Sequence, residues 1–300
     1  MIVKRAKEFH YTLINEAHYS SQHRAFTHDL LLPLYQEGYR YLALEAFGYK
    51  DSLINKRGFP TSNTGYYIQD SNFGNLVREA LEIGYTLVTY ETRKTQDGTL
   101  RDREQAEAIY EQTWKIDKKG KVLIHAGYSH IGEKGDPNYE PMGAQLKAIV
   151  KQDILTIDQV QMVALNDSSL FHPYFKYALN KFGIAQPTIF QNANREILVN
   201  PLQSLSIDMQ VFHPITKFEK GRPVWVKNEK SHYIPLPPKI MKFKHCLIQA
   251  TPIKELAESV PVDQLVIDGN VSLVLPRGRY RIRIINTNGD LVGGSELTVR

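Results

Sequence analysis

Thr12-Leu13-Ile14-Asn15-Glu16-Ala17-His18 is an apolar run that ends in an acid and an imidazole. The same order returns later, in Val122-Leu123-Ile124-His125-Ala126-Gly127-Tyr128-Ser129-His130. Between the two, Tyr41-Leu42-Ala43-Leu44 runs into Glu45, and Thr86-Leu87-Val88-Thr89 runs into Glu91. Short apolar runs of this length read as buried strands. Each of the four delivers a carboxylate or an imidazole at its carboxyl end, the end of an open parallel sheet where ligands and chemistry sit.

The segments between these strands have a helical period. Phe26, Leu30, Leu31 and Leu34 recur within 20–37, and Gly38 follows as a stop. Further helices are predicted over 75–83, ending at Gly84, over 101–114, with Ala106, Ile109, Tyr110 and Trp114 on one side, and over 144–150. Strands are predicted over 9–15, 40–45, 85–90, 121–126 and 159–165. Strands separated by helices imply an α/β fold, a mainly parallel sheet flanked by helices. The stretch 47–70, rich in Gly, Asn and Tyr, is a long loop that would lie over the site.

After about residue 200 the pattern changes. Ile234-Pro235-Leu236-Pro237-Pro238 reads as a linker, and 271–275, 279–285 and 291–299 as short alternating strands. In Thr287-Asn288-Gly289-Asp290 the Asn-Gly pair supplies the positive φ angles of a tight hairpin turn. The expected organisation is an α/β domain over 1–238 and a small antiparallel β module over 239–300.

The chain has 300 residues, 42% of them hydrophobic and 23% charged, which suits a soluble globular protein. Its formal charge of +5 is modest, and the clusters at 115–121 and 239–244 coincide with no recognition motif, so nucleic acid is not an expected partner. The single Cys246 excludes an intramolecular disulfide and a Cys-based zinc site, and its apolar neighbours suggest a buried, inert thiol. No apolar run is long enough to span a bilayer. Met1-Ile2-Val3-Lys4-Arg5 has no h-region, so the chain as given reads as cytoplasmic, or as extracytoplasmic if a leader has been removed.

The strand ends carry the chemistry. Glu16 and His18, two apart on an extended segment, project to one side. Gly127 permits a tight turn that returns His130 over its strand. Neutral imidazole with carboxylate suits either a divalent metal or a base with an orienting acid. Glu45, after a wholly apolar strand, must be paired or coordinated, with Arg24 or Arg40 as candidate partners. Glu91 is a weaker candidate, since Thr92 and Arg93 after it suggest an exposed turn, and His125 inside its strand is expected to pack or orient. Arg101 and Arg103 open a helix against its dipole, which favours a ligand or carboxylate partner, and Arg24 lies one turn into the first helix.

Glu16-Ala17-His18 with Gln22-His23-Arg24, then Leu42-Ala43-Leu44-Glu45-Ala46-Phe47, then Gly127-Tyr128-Ser129-His130, resembles the erythromycin esterase/ChaN-like superfamily. Its motifs are Gly-Glu-x-His or Gly-Glu-x-x-His after the first strand, Glu after the second and a late Gly-x-x-His. Arg101-Asp102-Arg103-Glu104-Gln105-Ala106-Glu107 is similar to the Arg-containing helix start of the esterase branch. The resemblance covers roughly residues 9–170, and Asn15 stands where the superfamily usually has Gly. The superfamily includes macrolide esterases, haem-binding lipoproteins and metal-dependent peptidases of the TIKI/TraB type. Membership implies a bacterial protein with this fold and site, and leaves the substrate open.

The expected function is hydrolysis of an ester or amide in a small molecule or peptide. His18 is general base or metal ligand. Glu16 and Glu45 orient it or share the divalent metal, and His130 completes the site. Arg24, Arg101 or Arg103 binds the substrate oxygen, with Tyr128 beside it. No Gly-x-Ser-x-Gly elbow is present. The alternative is a binding protein holding haem in the same pocket, with Tyr19, Tyr66, Tyr67 or Tyr128 as a candidate axial ligand. A third reading leaves binding to the β module.

Overall fold

The structure, a computed structural model, describes residues 1–48, 51–92, 95, 97–203 and 206–300. The first part of the chain runs α1 (Ile2–Ala6), β1 (Tyr11–Glu16), α2 (Ser21–Gln36), β2 (Tyr39–Leu44), α3 (Ile54–Arg57), α4 (Ser71–Ile83), β3 (Thr86–Thr89), α5 (Gly98–Gln112), β4 (Lys121–Gly127), α6 (Met142–Val150), β5 (Leu155–Asp158), α7 (Pro173–Phe182) and β6 (Met209–Gln210). The second runs β7 (Phe218–Glu219), β8 (Arg222–Pro223), β9 (Ser231–Pro235), α8 (Pro238–Met241), β10 (Leu247–Pro252), β11 (Asp263–Val266), β12 (Ser272–Pro276), β13 (Gly278–Ile285) and β14 (Leu291–Val299). No helix among the described residues is long and apolar enough to cross a membrane.

The first six strands form a parallel sheet in the order β3-β2-β4-β1-β5-β6. Side chains alternate across it. Ile14, Leu42, Leu44, Leu123 and Ile157 face a core with Leu31 and Leu34 of α2 and Leu76 and Val77 of α4. Leu13, Ala43, Val88, Val122 and Ile124 face the opposite core with Ala106 and Ile109 of α5 and Leu146 of α6. Burial on both faces explains why these strands read as continuous apolar runs. A fully buried Leu or Val there contributes roughly 1.5–3 kcal/mol.

The helices start where side chains replace missing backbone partners. Asp70 caps α4 by accepting from Phe73 N at 3.1 Å, and Asp97 caps α5 by accepting from Leu100 N at 2.9 Å. Gly84, at φ +112°, ends α4 in the left-handed conformation that glycine tolerates.

Three expectations are corrected. The strand after α6 is Leu155–Asp158, and 159–165 is not a strand. The Asp158 carboxylate turns back to accept from its own Val160 N (3.3 Å) as well as from Asn15 Nδ2 (2.7 Å), which stops the ladder. The segment read as a linker contributes β9, which pairs antiparallel with β12, and Ile234 and Leu236 belong to the module's core. A boundary at 238/239 therefore cuts a sheet. In the hairpin between β13 and β14 only Gly289 takes positive φ (+88°), within a loop closed by Asn286 N donating to Asp290 O at 3.0 Å.

The module is also locked to the α/β part. Arg78 of α4 donates two hydrogen bonds to Glu255, at 2.9 and 2.6 Å, and one to the carbonyl of Val260. Val260 is buried in the α2/α4 core, against Gly74, where a Cβ would stand 2.7 Å from its Cγ1. Val260, which follows Pro238 in the chain, is thus part of the α/β core.

Candidate active site

The parallel register brings the carboxyl ends of β1, β2, β3 and β4 to one rim. They surround a cavity of about 260 Å³ lined by Glu16, His18, Glu45, Tyr67, Phe73, Glu91, Arg101, His125, Gly127 and His130. Glu16, His18, Glu45 and His130 thus share one cavity.

Two of the three imidazoles lining this cavity, those of His18 and His130, are each anchored through Nδ1 to a carboxylate. His18 Nδ1 lies 2.9 Å from Glu16 Oε1. Arg24 reaches the same carboxylate from behind, with Nε 2.7 Å from Oε2 and Nη2 3.0 Å from Oε1, and also donates from Nη2 to the His18 carbonyl at 2.8 Å. Burial works to raise the Glu16 pKa, but the His18 hydrogen bond, His125 and the Arg24 guanidinium outweigh it and hold the group at about 2. An ionised carboxylate only accepts, so Nδ1 of His18 is the donor to Glu16 and Nε2 is the ring nitrogen turned to the cavity. A Cβ on Gly127 would stand 2.6 Å from that Nε2 and 3.2 Å from Glu45 Oε2, so only glycine lets the imidazole sit against this strand end. The His18 ring stacks on Tyr67 at 4.2 Å.

His130 Nδ1 lies 2.8 Å from Asp102 Oδ2, which also accepts from Tyr139 OH (2.6 Å) and Met142 N (2.8 Å). Its Nε2 is 3.5 Å from Glu45 Oε1. Burial works to lower the His130 pKa. The Asp102 hydrogen bond and the charges of Glu45 and Asp102 prevail over it and over Arg101, and the group is held above its ordinary value. Glu45 lies between the elements: its Oε2 accepts from Gly127 N at 2.5 Å and its Oε1 from Arg101 Nη2 at 3.0 Å.

The other candidates divide. Arg101 lines the cavity, bridging Glu45 and Glu91, as an arginine set against a helix dipole requires. Arg24 is buried behind Glu16 and holds that carboxylate instead of contacting substrate, since neighbouring side chains cover it. Arg103 points away, exposed and paired with Glu107 one turn on. Tyr128, at φ +44°, stands edge-on to His18 at 5.1 Å and lines the adjoining cavity of about 440 Å³. Glu91 is not on an exposed turn. Arg101 and Gln105 draw it into the cavity, while Arg93 lies outside the described residues. His125 is buried against Phe73, and burial pushes it down to about 4. Asn15 donates to Asp158 and to the Tyr128 carbonyl and accepts from Gln159 N, which ties β1, β5 and the turn after β4 together.

Asp102 and Tyr139 carry no role in the sequence reading, and Tyr67 enters it only as a candidate haem ligand. Asp102 had a signal: it shares a helix face with Ala106 and Ile109, at i, i+4 and i+7, and an acid on an apolar face needs a partner. Tyr67 falls in the 47–70 stretch expected over the site, whereas Tyr139, on a loop, has no such signal.

Among the described residues no group of three or more His, Cys, Asp or Glu is arranged to hold a metal ion. The Glu16 oxygens are engaged by His18 and Arg24, and those of Glu45 by Gly127 and Arg101. The set His18, His130, Glu16 and Glu45 therefore shares a cavity without forming a coordination sphere. The lining carries five or more charged or imidazole side chains, where a porphyrin needs a broad apolar slot.

No family model and no curated protein matches the chain. Two solved structures are similar to it in part. The type III effector HopBA1 is 10% identical with a TM-score of 0.43, over 71% of this chain and 92% of that one. RRSP, a MARTX toxin effector domain from Vibrio vulnificus CMCP6, is 13% identical with a TM-score of 0.38, over 68% of this chain and 37% of that one.

Proposed function

We propose that the cavity hydrolyses an ester or amide without a metal, and that the chain belongs to the erythromycin esterase/ChaN-like superfamily it resembles. One observation carries the reading: two imidazoles, each fixed through Nδ1 to a carboxylate, flank Glu45 and Arg101 in one cavity. Nε2 of His18 takes a proton from water, and the water oxygen attacks the carbonyl carbon. Arg101 and protonated His130 stabilise the oxygen that becomes negative. His130 then gives its proton to the leaving oxygen or nitrogen as the carbonyl re-forms, the proton on His18 passes to solvent, and His130 takes one up from solvent. Glu45 keeps Arg101 and His130 aimed at the same point.

The rival reading, haem binding, would need the charged lining to open into an apolar slot. Both are tested by screening the intact protein against chromogenic esters and peptide amides, with and without a chelator, beside a haem titration followed by visible absorption. Turnover that survives the chelator and is lost in Glu45→Gln supports the proposal. Chelator-sensitive turnover restored by Mn²⁺ or Zn²⁺ returns His18 and His130 to the role of ligands, and a saturable Soret band without turnover favours binding.

A further inference from the structure

We propose that the β module joins two copies of this chain through strand β14. The sheet order β11-β10-β13-β14 leaves β14 at an edge, paired on one side only. The opposite edge, β11, is four residues long and tied down: Asp263 is held by Arg222, and Gln264 donates to the Gln69 carbonyl next to α4. By contrast β14 has nine residues, most of them exposed, with no Lys, Arg or Pro. Long, uncovered edges of this kind pair with further strands unless charge, proline or a covering element prevents it.

The charges select a second copy as the occupant. On the solvent face of β13, Arg281 stands opposite Glu296 and Arg283 opposite Gly294. Glu296 is held by Arg279 at 3.0 Å, whereas Arg283 has no carboxylate within ion-pair distance among the described residues. Beside Arg283 the edge strand therefore offers a gap with no side chain. An antiparallel two-fold pairing centred on Ser295 places Glu296 of the second copy directly beyond Gly294, where Arg283 reaches it across the gap. The symmetry repeats the contact in reverse. Centring on Gly294 instead would set the two Arg283 side chains facing each other, and centring on Glu296 would oppose two carboxylates, both unfavourable. A half-step shift would put opposite faces together. The Ser295 register closes roughly eight to ten backbone hydrogen bonds, by the alternation of an antiparallel ladder.

The test uses the full chain with Cys246, a free and half-buried thiol, changed to Ser. Ser295→Cys, the position on the two-fold, should give a covalent dimer on mild oxidation, while Thr298→Cys should not. In sedimentation, wild type should dimerise, and Arg283→Glu should weaken the dimer about tenfold or more by setting like charges together. A wild-type chain that stays monomeric at high concentration overturns the proposal. Equal cross-linking at both positions, or a dimer indifferent to Arg283→Glu, overturns it as well. None of these readouts depends on hydrolysis, so the two proposals fail separately.

Discussion

The two imidazole–carboxylate pairs in the cavity are alike in chemistry and opposite in construction. Glu16 and His18 are two residues apart, and Arg24, six residues further on, neutralises the buried carboxylate. Asp102 and His130 come from α5 and from the turn after β4, and their shared oxygen is completed by a tyrosine and a backbone N–H. The first pair is set by local chain geometry and balanced by a full opposite charge. The second is set by how α5 packs on the sheet, with only hydrogen bonds around the acid besides His130. A locally built pair tolerates distant changes, and a pair assembled from two elements depends on their packing.

The comparison would break most visibly in rates. His18→Ala and His130→Ala should each lower kcat/KM by about 10²–10⁴, and the double variant should cost little more than the worse single one, because both act on one transition state. Strictly multiplicative losses in steady-state assays would show that the two pairs work on different steps.

Stability should separate the pairs next. Arg24→Met leaves Glu16 buried without its guanidinium and should cost about 3–5 kcal/mol in denaturant unfolding. Tyr139→Phe removes one hydrogen bond to Asp102 and should cost roughly 1.5–3 kcal/mol at most. Equal losses would mean that the charge balance of the two pairs is not what distinguishes them.

A smaller effect sharpens the roles. Asp102 helps to hold His130 protonated above its ordinary pH range. Asp102→Asn should move the alkaline limb of the pH–rate profile to lower pH, with about tenfold less activity at pH 8 for each unit moved and little change on the acid side. An unmoved limb would take His130 out of the proton-donating role.

The mildest test concerns what supports the first pair. Ala17 N donates to His23 Nδ1 beneath the Glu16–His18 segment, and Gln159 links Asn15 to His213. Burial pushes His23 down to about 2 and His125 and His213 to about 4, from an ordinary 6.5. Groups whose folded pKa is depressed bind more protons when unfolded. Their stabilisation is complete above pH 6.5 and is lost as pH falls towards 4. Glu16, held at about 2 against an ordinary 4.5, adds its own loss below pH 4.5. The melting temperature should therefore decline from pH 6.5 downward, and less steeply in His213→Asn; a flat profile to pH 4.5 would show that these imidazoles are not buried neutral.

Short-range order along the chain is enough for the parallel sheet and the polar rim at its strand ends. That order consists of apolar runs of strand length, helical periods between them, and polar residues at fixed offsets such as Glu16 and His18. The same order puts Glu16, Glu45 and the turn that carries His130 at one rim, because strand ends in a parallel sheet share a rim. Tertiary structure alone decided which arginine serves which acid. Arg24 and Arg103 have the same charge and similar helix-start positions, yet one is buried against Glu16 and the other is paired in solvent. It also decided that β5 ends at Asp158, that β9 belongs to the module and that Tyr67 and Tyr139 reach the site from loops. The physical reason is separation along the chain. Contacts within a helical turn or along one strand are written in residue spacing, whereas an ion pair or a strand partner many residues away is fixed only once the elements have packed.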